Sequence, residues 1–425
     1  AAGSPAWEPQ SSGVAEPPQQ QALERATAPL GGERGPPPQL LPDAALEDLD
    51  EGARPPPDLR SGSPAVRAGA ARHGPHAVSG PSDEFIGQAC MPWPGAADGH
   101  QALVYAKAAR TAAGYLAKRT LDAKWVASHV DLAYYCKVPL ALLEVGMEAE
   151  AAQALDVALP LCRDGGQGSA SELYSTLYPQ WPWLCIGMAA VRLDRREVAQ
   201  MCFDRLDAYV HPITGSGLVQ EPLGSITSWE ADVFSTALAT KAALVRGQGQ
   251  HAATSGDSLL RALEANRDNM KSRRFSLRWS WADGFNEDEH PLCCVTQDGK
   301  GQLYSMLGFP ALVLLELSMG AAGSAISPQR AAAFREGASE LLGFLKGCSG
   351  LVGSSTSHST ALAAAMACDH EAATKIGDAM LAMRTPSGIF STQSDVDTVE
   401  SFDQSADIVL MLSRMGKMMG GTTRL

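Results

Sequence analysis

From about residue 98 onward, segments that are apolar on every side alternate with segments that carry charge along one face, both at helical period. The stretch from Trp125 to Arg163 shows the unit once. A polar, aromatic lead-in (Trp125, His129, Asp131, Tyr134, Tyr135, Lys137) is followed by Pro139, an apolar run to Gly146, and an Ala-rich amphipathic segment from Met147 to Cys162. The pattern predicts a helical hairpin whose first helix is nearly all apolar and whose second is two-faced. Continued along the chain, it predicts about 12 helices, over 100–118, 125–146, 147–162, 171–193, 195–209, 228–246, 258–269, 301–319, 328–346, 354–368, 371–383 and 402–418. Residues 275–281 alternate apolar and polar and read as a strand, so a short hairpin-like β insertion is expected near 273–297.

The unit recurs in detail. Val138-Pro139 leads into LALLEVG, Trp181-Pro182 into WLCIGMAAVRL, and Phe309-Pro310 into ALVLLELSMG. Tyr135 and Tyr178 stand four residues before their proline, and Tyr304 stands six before. Proline opens a helix at its first turn or kinks it by removing a hydrogen bond, so each Tyr-bearing turn is expected at the polar end of an apolar helix. The exits Gly217-Leu218-Val219, Gly350-Leu351-Val352 and Gly388-Ile389-Phe390 repeat too, with glycine expected as a left-handed cap.

Helices that are apolar all round must be ringed by others, and two-faced helices suit an outer layer. Two helices per repeat, six times over residues 98–420, resembles the all-α (α/α)6 toroid of six-hairpin glycosidases, N-acylglucosamine 2-epimerases and terpenoid cyclases. The resemblance is architectural: the DxDD motif and Gln-Trp repeats of squalene-type cyclases are absent, and the epimerases' histidine set has no position-by-position match. A TPR or HEAT solenoid keeps a tighter period and polar caps.

Composition separates off the first part of the chain. Residues 1–80 are dense in Pro, Gly, Ala, Gln, Glu and Arg, with almost no aromatic or β-branched residues, and are expected to be a disordered low-complexity tail. Its acidic residues argue against a transit peptide. No apolar run approaches the ~20 residues that span a bilayer. The formal charge of -13 without a long basic cluster argues against nucleic acid as the main partner. Nine cysteines are scattered with no CxxC pair, as expected of free thiols in a reducing compartment, cytoplasm or an organelle stroma or matrix.

In a toroid, the residues that enter each inner helix converge at one mouth, and these carry the candidate chemistry. His129, Asp131, Glu230 and His358 are the candidates for acid and base work. Tyr135, Lys137, Tyr178, Trp181, Trp229, Asp232, Trp279 and Tyr304 are the candidates for holding substrate. Each has a plainer reading. His129, Asp131 and Lys137 also suit a polar network between surface and loop, Glu230 and Asp232 a helix start, and His358 a capping region. The tyrosines suit a core with satisfied hydroxyls. Glu287 to His290 reads as a solvated loop, and Cys293-Cys294 as packing.

Asp164 to Ala170 lacks the spacing of a phosphate loop, and the chain has neither a GxSxG elbow nor an HExxH pair. The sequence therefore leads to an expectation of metal- and cofactor-independent acid–base chemistry on a neutral, sugar-like molecule, by an epimerase, lyase or glycoside hydrolase. The alternatives are a non-enzymatic interaction subunit and a terpenoid-processing enzyme.

Overall fold

The structure, a computed structural model, describes residues 99–129, 132–163, 178–220, 225–392 and 398–420. The tail at 1–80 and Asp131 lie outside the described residues. The described chain is predominantly helical with a few short antiparallel strands, the all-α class expected.

Chain order begins with α1 (His100–Thr120), α2 (Ala123–Ser128), α3 (Leu132–Tyr135), α4 (Val138–Glu144) and α5 (Glu148–Arg163). Next come α6 (Gln180–Arg192), α7 (Arg196–Asp207), β1 (Glu230–Asp232), α8 (Val233–Val245) and α9 (Gly249–Lys271). Four strands follow: β2 (Arg274–Ser276), β3 (Arg278–Ser280), β4 (Gly284–Phe285) and β5 (Cys294–Thr296). The chain closes with α10 (Ser305–Ser318), α11 (Pro328–Lys346), α12 (His358–Met366), α13 (His370–Ala382) and α14 (Val399–Gly420).

Three expectations are corrected here, each for a local reason. The helix expected over 125–146 is three pieces: Asp122 caps α2 by accepting from the backbone N–H groups of Lys124 and Trp125, and Pro139 opens a fresh helix at α4. The helix expected from 228 starts at Val233, because Glu230 to Asp232 pair as a strand with β3, in the register Glu230 to Ser280 and Asp232 to Arg278. The single strand expected over 275–281 is split at Leu277: β2 pairs with β5, while β3 sits between β1 and β4.

The helices that are apolar on every side are α4, α6, α8, α10 and α12, and the two-faced α14 joins them through one buried face. In α8 every residue but Lys241 is buried, and each fully buried Leu, Val or Phe contributes about 1.5–3 kcal/mol. Their neighbours run in sequence: α4 packs on α6, α6 on α8, α8 on α10, α10 on α12, α12 on α14, and α14 again on α4. The amphipathic α5, α7, α9, α11 and α13 each pack on the apolar helix before them, and α1 packs along α14.

The three Gly-apolar-apolar exits have different causes. Only Gly388 takes the left-handed conformation, at φ 90°. Gly217 is required by close approach, since a Cβ there would run into the Ser235 carbonyl, and a Cβ at Gly350 would meet the Tyr304 hydroxyl at 2.7 Å. Hydroxyls on, or one residue before, the next helix pin each exit: the Thr236 hydroxyl accepts from the Gly217 N–H at 3.0 Å, that of Ser357 donates to the Leu351 carbonyl at 2.6 Å, and that of Ser405 accepts from the Phe390 N–H at 2.9 Å.

Candidate functional site

Charged and partly buried positions on these helices, with Phe234 beside them, fall in steps of one or two turns, which puts them on one stripe of each helix. Lys137 and Glu144 bracket α4; Trp181, Met188 and Arg192 lie along α6; Phe234 and Lys241 along α8; Phe309 and Glu316 along α10; Asp403, Asp407, Leu410 and Arg414 along α14. Each stripe has an N-terminal and a C-terminal end, and the two ends differ in chemistry.

The C-terminal tier is charge-compensated. Glu144, with a side chain 1% exposed, accepts from Arg192 at 2.8 Å, from Arg414 at 2.7 and 3.0 Å, and from Lys417 at 3.1 Å. Burial alone would raise its carboxyl, but the three cations outweigh that and hold it well below the usual carboxylate range. Lys241 on α8 donates to both oxygens of Glu316 on α10, at 2.6 and 2.8 Å. These are interhelical ion pairs.

The N-terminal tier holds the candidates. Lys137, buried at the start of α4, sits between Asp403 at 2.7 Å and Asp407 at 2.6 Å, both on α14 and one turn apart. Asp407 binds Lys137 through Oδ2 and turns Oδ1 toward His358 Nε2, 3.9 Å away on the first residue of α12. His358 Nδ1 lies 3.2 Å from the Ser355 carbonyl. A carbonyl can only accept, so Nδ1 carries a proton and Nε2 is the ring nitrogen turned toward the Asp407 side. The side chains of Asp403, Asp407 and His358 are 18%, 15% and 17% exposed.

Across the same tier, Trp181, Phe234 and Phe309 from α6, α8 and α10 form a mutually packed triad, with centroids 5.6 to 5.8 Å apart. Trp181 and Phe309 are only partly buried on helices that are mostly buried. Cys136 lies against Cys185 between α4 and α6, and burial pushes the Cys185 thiol well up, so it stays protonated and packs as a small apolar group. Among the first-turn side chains, Gln180 Oε1, Ser235 Oγ, Ser359 Oγ and Thr360 Oγ1 are buried without a hydrogen-bond partner.

The β1–β3 ribbon adds a polar face. Alternation places Glu230 and Asp232 on the same side as Arg278, and Trp229, Ala231, Trp279 and Trp281 on the other. Asp232 is fully buried and caps α8 by accepting from the Ser235 N–H. Burial raises its carboxyl despite Arg278 and the Ser235 N–H. Arg278 reaches the Tyr178 hydroxyl at 3.5 Å and stands 3.9 Å from each of Glu230 and Asp232. Its own burial disfavours charge, but Tyr178, Asp232 and Glu230 outweigh that and keep it protonated. Tyr178 leads into Phe234 edge-on at 5.3 Å, which joins this face to the aromatic triad.

The expected residues thus divide. Lys137, His358, Tyr178, Trp181, Glu230 and Asp232 fall on the N-terminal tier. His129 does not join them: it stacks on Trp125 at 4.2 Å, with Nδ1 2.9 Å from the Trp125 carbonyl, closing the end of α2. Tyr135 is fully buried edge-on to Phe402, Tyr304 is buried with its hydroxyl near Gly350, and Trp279 is core at 2% exposure. Trp229 packs with Trp281 and His211, the His211 ring lying 5.7 and 4.2 Å from the two indoles. His211 accepts at Nδ1 from the N–H groups of Ile213 and Thr214, and burial lowers it to about 4, so it is neutral near pH 7. Phe234, Phe309 and His211 were not singled out by the sequence. Among the described residues, no three His, Cys, Asp or Glu side chains are placed to hold a metal ion.

Compared with known proteins, the chain matches no family model and no curated protein sequence. None of its helices among the described residues is long and apolar enough to cross a membrane.

Proposed function

We propose that the helices form an (α/α)6 toroid, and that the N-terminal tier of its inner ring is the active site of an enzyme moving protons on a neutral, hydroxyl-bearing small molecule. The architecture is supported by the neighbour order of the apolar helices, which returns from α14 to α4. The observation that carries the function is Asp407, its carboxylate shared between Lys137 at 2.6 Å and His358 at 3.9 Å. In this reading His358 Nε2 takes the proton, Asp407 stabilises the imidazolium, and Lys137 fixes both carboxylates in place. The 3.9 Å separation is of the kind that tightens when substrate arrives. Trp181 and Phe309 supply apolar ring faces for stacking.

Charge on this tier suits a hydroxylated substrate better than a terpenoid chain. The interaction-subunit reading wants a continuous apolar patch, whereas the large exposed hydrophobic residues described are Leu103, Leu121 and Ile213. Leu103 and Leu121 lie at opposite ends of α1, about 27 Å apart by helical rise.

The test is solvent exchange. A panel of free aldoses, ketoses and 2-acetamido sugars is incubated with the protein in D2O, and NMR follows deuterium entering the carbon skeleton. Wild type should label at least one member, and His358→Asn and Asp407→Asn should not. Absence of exchange across the panel, or undiminished exchange in both variants, overturns the proposal.

A further inference from the structure

The contact between Arg278 and Asp232 is incomplete in a specific way. Arg278 Nε and Asp232 Oδ2 face each other at 3.9 Å, beyond hydrogen-bond distance, and neither atom has a partner at hydrogen-bond geometry; the Tyr178 hydroxyl, 3.5 Å from Arg278 Nη2, and the Ser235 side chain interact with the Asp232 carboxylate without closing that gap. Arg278 Nη1 also stands 3.9 Å from Oε2 of Glu230, a partly exposed carboxylate whose Oε1 accepts from Asn286 at 3.4 Å. A buried charged group left unsatisfied in this way is destabilising.

Only certain chemistry completes such a pair. A carboxylate or phosphate ligand would meet Arg278 but be repelled by Asp232 and Glu230; an ammonium would meet the acids and be repelled by the guanidinium. An ether or carbonyl oxygen satisfies the donor and leaves the carboxylate unpaired. A hydroxyl does both, accepting from Arg278 Nε and donating to Asp232 Oδ2, with its oxygen about 2.8 Å from each.

We propose that Asp232, Arg278 and Glu230 form a hydroxyl-recognition clamp that selects a polyol, with the hydroxyl at the Asp232–Arg278 opening as the specificity-determining contact. The polar ribbon face supplies the clamp, and Tyr178 and Phe234 connect it to the aromatic triad, so a ring seated against Trp181 or Phe309 has hydroxyl partners on one side. This deepens the proposed function and rests on the N-terminal tier being a ligand site.

The clamp is tested by binding, independently of turnover. Saturation-transfer NMR on the full chain uses glucose, mannose, N-acetylglucosamine and myo-inositol, each beside its monodeoxy counterparts. At least one polyol should bind, and removing the hydroxyl that enters the clamp should weaken it about tenfold or more, as expected for a lost hydrogen bond to a buried charged group. Asp232→Asn, which can still cap α8, should weaken the same polyol to a similar degree, and Arg278→Lys should too, with melting temperature reporting whether each variant folds. In case Arg278→Lys does not fold, the deoxy series on wild type carries the same information. Wild type binding no polyol at millimolar concentration, or binding every deoxy analogue as well as its parent, overturns the clamp. Binding that obeys the clamp without solvent exchange sustains this inference while sinking the acid–base reading; exchange indifferent to Asp232→Asn and to deoxygenation does the reverse.

Discussion

Glu144→Gln isolates the compensated end of the inner helices. The substitution keeps size and removes the charge that ties α4 to α6 and α14 through Arg192, Arg414 and Lys417. Removing one member of a buried ion pair costs about 3–5 kcal/mol. The three cations are 30%, 20% and 49% exposed and recover part of their hydration, so the lower end, about 3 kcal/mol, applies. For a folded region of this size, about 2 °C of melting temperature accompanies each kcal/mol, giving a drop of roughly 6 °C near pH 7. The sign with pH is fixed by the depressed carboxyl of Glu144. Its stabilisation is fully present above the ordinary carboxylate value of about 4.3 and is lost as pH falls toward the folded-state value. Melting curves by circular dichroism should therefore show wild type and variant separated at neutral pH and converging in acid. Equal melting temperatures at pH 7, or a gap that widens as the solution is acidified, would refute the assignment of Glu144 as a compensated anion. Polyol binding should survive in this variant.

Asp232→Asn should move stability the other way. Its carboxyl is raised in the folded state, so ionising it costs stability progressively as pH rises above the unfolded value of about 3.9; the variant should melt above wild type near pH 7, with the difference shrinking toward pH 4. Lys137→Met leaves Asp403 and Asp407 facing each other without the ammonium, and denaturant titration should register a loss of about 2–4 kcal/mol, the buried-pair value discounted for two partly exposed acids. Trp181→Ala and Phe309→Ala should each weaken polyol binding by about three- to tenfold, the worth of one aromatic face, measured in the same NMR titration. Unchanged affinity in both would remove the stacking role.

The repeat was legible because alternation between all-apolar and two-faced helices is written in composition alone. The same uniformity hid the site. When almost every position of α8 or α10 is buried, the helical period carries little phase, so Phe234 and Phe309 look no different from Leu238 or Leu312. Where the helix is mixed, as in α14, Asp403 and Asp407 fall on one face, but their partner Lys137 stands far away in sequence and no spacing rule joins them. His129 misled because it sits in a polar aromatic lead-in beside Tyr134 and Tyr135; a break in the helix after Ser128 turns it into a cap instead. The strand at 230–232 was missed because three residues preceding a helix carry no period of their own, and only pairing with β3 makes them extended.

That α14 closes against both α1 and α4 has a consequence for how the chain is made. Lys137 leaves the ribosome long before its partner Asp407, 270 residues later, so an ammonium destined for burial must wait in water until α14 is synthesised. Half-built intermediates expose greasy helices with an open flank on both sides. Cellular yield should accordingly depend on holdase chaperones during translation, and a stop codon placed shortly before Val399 should produce an aggregate rather than a smaller soluble protein.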